Sequence, residues 1–518
     1  VEHPDLAQIS AVVAAAGAAL LLAGRGRVAV LGGLVLLALS ELGLVLAPGG
    51  PGQLEVLATP SGAGALALGA LALTGAAALL VRRPGWTAPA ILVAAPLRPP
   101  ISLDPTGGGF PLALAEDGRL GRLLPLYFVL AAATLALGWR ATRGPTATRA
   151  AAVRGLARPV ALPAAAFIAF ASLSLLWARA LEPGVELLAY FTLPFALLLG
   201  IVARSPLTDR APRTLAWLAI GAGVVFAAIG LFQAATRQVF FFAPNLDLSN
   251  ANADYFRVTS LFGDPSLYGR HVVLAIGVVL VLLALPASRG GVRSLDPRLG
   301  IVALAVLWAG LFFSYSQSSM VALVAITFGV AWWTGGRAVR LTVLGGIGAA
   351  ALVGAGLLTA ALTSGDSLRR ETADRSVRAR ETARVVGESP LVGVGIGGQP
   401  RESQRLSDRR SVPTANYVSH TAPLTVAAEL GVVGLALYAW LLAGGVRMIW
   451  AVRRLEPALG LALAAAFLGL FVHALFYSGF LEDPLTWVVL GVGAAALGWS
   501  RRDDGARRER PAATVASG

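Results

Sequence analysis

The chain has no cysteine and no lysine among its 518 residues, and only four histidines and two methionines. Without cysteine there is no disulfide, thiolate nucleophile or Cys-based metal site to consider. The histidines, His3, His271, His420 and His473, lie too far apart in sequence to form a recognisable metal-binding cluster. Charge is also scarce, at 14% of residues against roughly a quarter in a soluble domain, while 56% are hydrophobic. Mean hydropathy is +0.72. The opening Val1-Glu2-His3-Pro4-Asp5 lacks the basic n-region of a cleavable signal peptide.

What remains is a succession of about fifteen apolar stretches between residues 8 and 499, most near 20 residues long. That length matches the hydrocarbon thickness of a bilayer, so an all-α polytopic integral membrane protein of about 12–15 transmembrane helices is predicted. The stretch at 86–98 is short and rich in proline, which suits a broken or re-entrant helix. A membrane β-barrel would need short alternating strands and is excluded. The net charge of +14 comes entirely from arginine, which lies mostly in short loops. There it orients helices, and no aromatic-interleaved basic face speaks for nucleic acid.

Placing the arginine-rich short loops in the cytoplasm leaves 233–268 and 363–419 outside, with the C-terminus inside. The predicted organisation is N-terminal spans over 1–158 and core spans over 159–363. A large extracytoplasmic loop follows over 364–419, then C-terminal spans over 420–500 and a disordered tail over 501–518. No inverted pair of halves is evident, which disfavours a transporter or flippase of lipid-linked oligosaccharide, the competing reading.

The polar residues that carry chemistry concentrate in the two outer loops. In the first, Gly263, Pro265 and Gly269 shape a turn at the membrane edge, near Arg257 and Arg270. Arg257 is a candidate phosphate ligand, whereas Arg270 reads as an arginine reaching for lipid headgroups. The second loop carries ten arginines. Its first part suits a helix ending near Gly387, with Arg375 and Arg378 on one face together with Glu371, and with Glu381 placed to pair with Arg384. Guanidinium forks match phosphate oxygens, so clustered arginines beside a membrane suit a lipid diphosphate. The glycine-dense run 393–398 lacks the βαβ context of a dinucleotide fingerprint and more simply allows a tight turn or a close approach. His420 closes the loop at the mouth of a span, where an imidazole can act as a general base. Glu429 is an ionisable group within an apolar helix and therefore faces the bundle interior.

Three blocks together resemble the O-antigen ligase and O-antigen polymerase superfamily of bacterial envelope enzymes. They are Arg257 with Phe262-Gly263-Asp264-Pro265-Ser266, Arg375 fifteen residues before Pro390-Leu391-Val392-Gly393-Val394-Gly395, and His420 nine residues before Glu429-Leu430-Gly431. Leu173-Ser174-Leu175-Leu176-Trp177 and Phe480-Leu481-Glu482-Asp483-Pro484 also resemble family positions, so the likeness covers roughly 165–490. It departs at Ser316-Gln317-Ser318-Ser319, which lacks the family's arginine. It departs again at Thr421, Ala379, Asp264 and Ser266, where the family favours Asn, Trp, Asn and Asn. These departures bear on the acceptor more than on the donor.

The resemblance implies a GT-C-like helical bundle in the bacterial cytoplasmic (inner) membrane, with its active site facing outside. It implies transfer of a glycan from an undecaprenyl-diphosphate donor to a glycan or lipid-linked acceptor, with inversion and without metal or cofactor. On this chain it implies that His420 is the base and that Arg257, Arg375 and Arg378 hold the diphosphate. Membrane lipids and other envelope polysaccharide-assembly proteins are the further partners implied.

Overall fold

The computed structural model describes residues 1–49, 59–103, 112–114, 120–208, 210–241, 243–285, 295–363, 375–407, 414–477 and 479–508. It is a multi-pass membrane protein: among the described residues, eleven helices are long and apolar enough to cross a bilayer. Two shorter apolar helices, Pro297–Phe312 and Pro484–Gly498, accompany them. The segment expected to be broken forms only the helix Thr87–Ala94, eight residues or about 12 Å, too short to span alone. A small hairpin pairs Ile101–Leu103 antiparallel with Leu112–Leu114.

The spans pack around two buried cores. One joins the helices Pro4–Ala23, Gly26–Leu46, Leu124–Arg143, Arg158–Leu173 and Leu193–Val202 with residues 438–452 and 485–495. The other joins Ala211–Thr236, Pro265–Ala284, Pro297–Phe312 and Gln317–Thr334. The helix Pro457–Leu475 serves both, giving Leu463 and Phe467 to the first and Leu461 and Ala465 to the second. Large apolar side chains such as Leu68, Leu71 and Ile301 point outward, as lipid-facing residues do.

The loops collect on two faces. One gathers the arginine-rich turns. Gly26 N–H donates to Val153 O, Arg154 to Ala203 O, and the fully buried Arg204 to the carbonyls of Leu21, Gly200 and Arg154. Burial, with Arg154 beside it, pushes the Arg204 guanidinium down to about 9. The opposite face carries both long loops and the candidate site. The last helix, Pro484–Arg508, runs beyond residue 500, and 509–518 lie outside the described residues.

Candidate active site

The glycine run is seated in a break in the long helix Ala422–Leu455. At Gly431 the backbone leaves the helical region with φ 64° and ψ −166°, which frees carbonyls and N–H groups that lipid cannot satisfy. The loop satisfies them. Val394 and Gly395 N–H donate to Ala428 and Glu429 carbonyls at 3.0 and 2.9 Å, while Val432 and Val433 N–H donate to Pro390 and Leu391 at 2.8 and 3.2 Å. Glycine is required here for two reasons. A Cβ on Gly431 would sit 2.2 Å from Leu391 O, and one on Gly395 (φ +87°) would sit 2.3 Å from Ala178 Cα.

The other side of the run rests on the segment Leu173–Trp177 and its continuation. Ile396 N–H donates to Ser174 Oγ, Arg179 N–H to Val394 O, and Trp177 Nε1 to Val392 O. The carboxylate of Glu429 turns inward, as its position in an apolar helix predicts, and accepts from the backbone N–H groups of Gly397 and Gln399. Its role is to fix the end of the glycine run and the start of the helix Gln399–Leu406.

Buried Gln399 carries the order on to the histidine. Its Nε2 lies 2.8–3.1 Å from Ser403 Oγ, Tyr417 O and Thr382 Oγ1, and its Oε1 accepts from Ser419 N–H at 3.1 Å. One amide thus ties the helix Arg375–Glu388, the helix Gln399–Leu406 and the residue before His420. Glu381 is buried and accepts from Ser407 Oγ, and Arg384 donates to Leu406 O, so both bind the loop to itself. Glu371 lies outside the described residues.

His420 and Arg378 are in direct contact, with Arg378 Nη1 donating to His420 Nε2. Arg375 begins the same helix, but its side chain lies outside the described residues. Arg257 sits on the same face of the protein. Its backbone exchanges hydrogen bonds with the Asn250 side chain and its Nε donates to Ser314 O at 3.2 Å. Nη1 and Nη2 have no partner among the described residues.

Two aromatic steps connect these groups. Ser318, in the first turn of the helix Gln317–Thr334, bonds His473 Nε2 at 3.1 Å. The His473 ring lies 5.4 Å from Tyr477, and Tyr477 lies 6.2 Å from His420. Tyr477 also bonds Asp264, and burial pushes its phenol above the ordinary value, with the Asp264 carboxylate acting in the same direction. It therefore stays protonated and donates. Asp264 in turn caps the helix Pro265–Ala284, accepting from Ser266 and Leu267 N–H at 2.7 and 3.0 Å.

Arg270 corrects the expectation from sequence. It does not reach lipid headgroups but is buried and paired with Asp483 at 2.8 Å, with side chains 5% and 4% exposed. It also donates to Gly479 O. An arginine on the inward face of a span finds a carboxylate there more cheaply than water. Arg98 stands beside this pair, and burial pushes its guanidinium below the ordinary value while Asp483 opposes the shift. Burial raises the Glu482 carboxyl nearby. The void that Arg98, Arg270, Glu482 and Asp483 enclose measures about 30 Å³, room for a water and not for a substrate.

Sequence reasoning missed Gln399, Tyr477 and Arg98. The first is one glutamine in a polar loop, and the second is a single aromatic after a span. Arg98, in Pro-Leu-Arg-Pro-Pro, was the one with a signal: a lone arginine between prolines at the end of a segment too short to span.

No curated protein matches the chain. A family model described as O-antigen ligase matches residues 302–439, which include Arg375, Arg378, the glycine run, His420 and Glu429. That match places residues 302–439 of this multi-pass membrane protein in the O-antigen ligase superfamily.

Proposed function

We propose that the protein is a membrane glycosyltransferase that moves a glycan from an undecaprenyl-diphosphate donor to an acceptor hydroxyl. It acts at the loop face, which lies outside the cytoplasmic membrane if the arginine-rich face lies inside. The observation that carries the reading is the contact of His420 with Arg378 on a loop clamped into a broken span.

The acceptor hydroxyl gives its proton to the imidazole as its oxygen attacks the anomeric carbon. The bond from that carbon to the diphosphate oxygen breaks, and the configuration inverts. Charge develops on the leaving diphosphate, where the guanidinium groups of Arg257, Arg375 and Arg378 stabilise it without a metal ion. The Nε2 that would take the proton is the atom to which Arg378 donates. A diphosphate draws Arg378 to itself and frees that nitrogen, so donor binding and base activation are coupled. The same chemistry serves a ligase or a polymerase, with the acceptor deciding between them.

The test is transfer by purified protein with an undecaprenyl-diphosphate glycan pool, with and without EDTA. His420→Ala lowers turnover by about 10²–10⁴-fold, the usual contribution of a general base. Arg257→Ala and Arg378→Ala raise the donor concentration needed for half-maximal rate. If His420→Ala transfers as fast as wild type, the assigned base is wrong. If wild type only moves lipid-linked glycan between leaflets, the protein is a flippase.

A further inference from the structure

The face opposite the candidate site carries a feature that glycan transfer leaves unused. A cleft of about 410 Å³ is lined by Arg25, Gly155, Leu156 and Arg158. A groove of about 190 Å³ shares Arg158 with it and is completed by Pro159, Trp440, Ala443, Gly444 and Arg447. No carboxylate lines either one.

The three arginines differ from their neighbours. Arg154 and Arg204 spend their N–H groups on backbone carbonyls. Arg25, Arg158 and Arg447 are exposed and have no hydrogen bond or ion pair among the described residues. Arg25 lies over Gly155, where a Cβ would stand 2.9 Å from its Cγ, so the missing side chain at 155 is what opens the cleft.

The groove below is apolar and runs down the span. Trp440, Ala443, Gly444 and Arg447 recur at helical spacing and so share one stripe of the helix Ala422–Leu455. Trp440 is seven residues, about 10 Å, deeper than Arg447. Gly444 abuts Pro159 O so closely that any side chain would close the groove. Trp440, which lines it, is 47% exposed.

Cations at the rim and an apolar, aromatic-walled channel leading inward match a molecule with an anionic head and a hydrocarbon tail. We propose that the cleft and groove bind one anionic diacyl phospholipid. Its phosphate sits among Arg25, Arg158 and Arg447, and one acyl chain lies along Trp440, Ala443 and Gly444. Basic pockets between spans are a recurrent form of headgroup recognition, and guanidinium suits phosphate bidentately.

The experiment is lipid retention by the full chain in neutral detergent, read by native mass spectrometry. Phosphatidylglycerol and phosphatidylcholine of identical acyl chains are compared. Wild type is expected to retain phosphatidylglycerol about ten-fold better, and Arg158→Gln or Arg447→Gln to remove most of that preference. Arg340→Gln, on the same face but outside the cleft, keeps the preference. Trp440→Ala weakens retention of both lipids and leaves their ratio unchanged. Equal retention of the two lipids by wild type overturns the proposal without reference to any variant. So does displacement of phosphatidylglycerol by an equal concentration of inorganic phosphate, which would mark a site for a free anion.

Discussion

On the loop face, arginines come with carboxylates. Arg122 meets Glu186 at 3.3 Å, Arg179 meets Glu402 at 2.9 Å, Arg270 meets Asp483 at 2.8 Å, and Arg405 meets Glu402 at 2.8 Å. On the opposite face, no ion pair forms among the described residues: arginine caps carbonyls, as Arg204 does, lies over a tryptophan ring, as Arg453 and Arg454 do at Trp450, or stands open, as Arg25 and Arg158 do. Where the protein neutralises its own arginines, their positions are fixed and their charge is spent. Arg257 and Arg378 stand out against that background. Each lies on the face rich in carboxylates, yet Arg257 donates to the Ser314 carbonyl and Arg378 to the His420 imidazole. In the proposed function that charge serves the donor diphosphate.

The comparison breaks most sharply at the buried pair. Asp483→Ala leaves Arg270 buried without its counter-charge, and a loss of about 3–5 kcal/mol is expected. It also removes the cap on Leu485 N–H. Unfolding in detergent with denaturant measures it, and Arg270→Met added to Asp483→Ala recovers part of the loss. If Asp483→Ala costs under about 1 kcal/mol, the pair is not what holds the start of the final helix to the helix Pro265–Ala284.

The seat of the glycine run is next. Gly431→Ala places a Cβ against Leu391 in a backbone region that side chains rarely adopt, at a cost of about 1–3 kcal/mol of strain. The expected sign is release of the loop, seen as new protease cleavage between 388 and 420 while the spans remain intact. Gln399→Leu keeps the volume and deletes the amide hydrogen bonds. It is expected to cost about 1–3 kcal/mol and to lower turnover, because Ser419 loses its donor–acceptor tie next to His420. Turnover equal to wild type would mean that His420 is positioned by Arg378 and Tyr477 without help.

Much of the fold is legible in the sequence itself. Spans could be read because the bilayer imposes a length on every apolar helix. The glycine run, His420 and Glu429 could be read because each breaks the apolar pattern in a way that needs a reason. The fate of Arg270 could not, because headgroup and carboxylate both suit an arginine near a span end, and Asp483 lies 213 residues further on. Gln399 was illegible for a related reason. Its four contacts come from three separate segments, and nothing local in Gly397-Gly398-Gln399-Pro400 distinguishes it from a solvated turn.

The smallest effect is expected where the loop face most resembles the open one. Arg122 and Glu186 pair at 3.3 Å but are 50% and 55% exposed. Water and salt screen such a pair, and holding two flexible side chains together offsets most of the attraction. Arg122 also lies over the Tyr190 ring, with its Cζ 3.4 Å from the centroid. Arg122→Gln is therefore expected to change stability by less than about 1 kcal/mol, and Glu186→Gln by less still, since it leaves the stacked guanidinium in place. Measuring both variants at low and high salt separates the two contacts. A salt-insensitive loss confined to Arg122→Gln assigns the effect to the ring, and equal salt-sensitive losses assign it to the ion pair. A loss as large as that of Asp483→Ala would mean that exposure does not rank these pairs, and the contrast between buried and open arginines would fail.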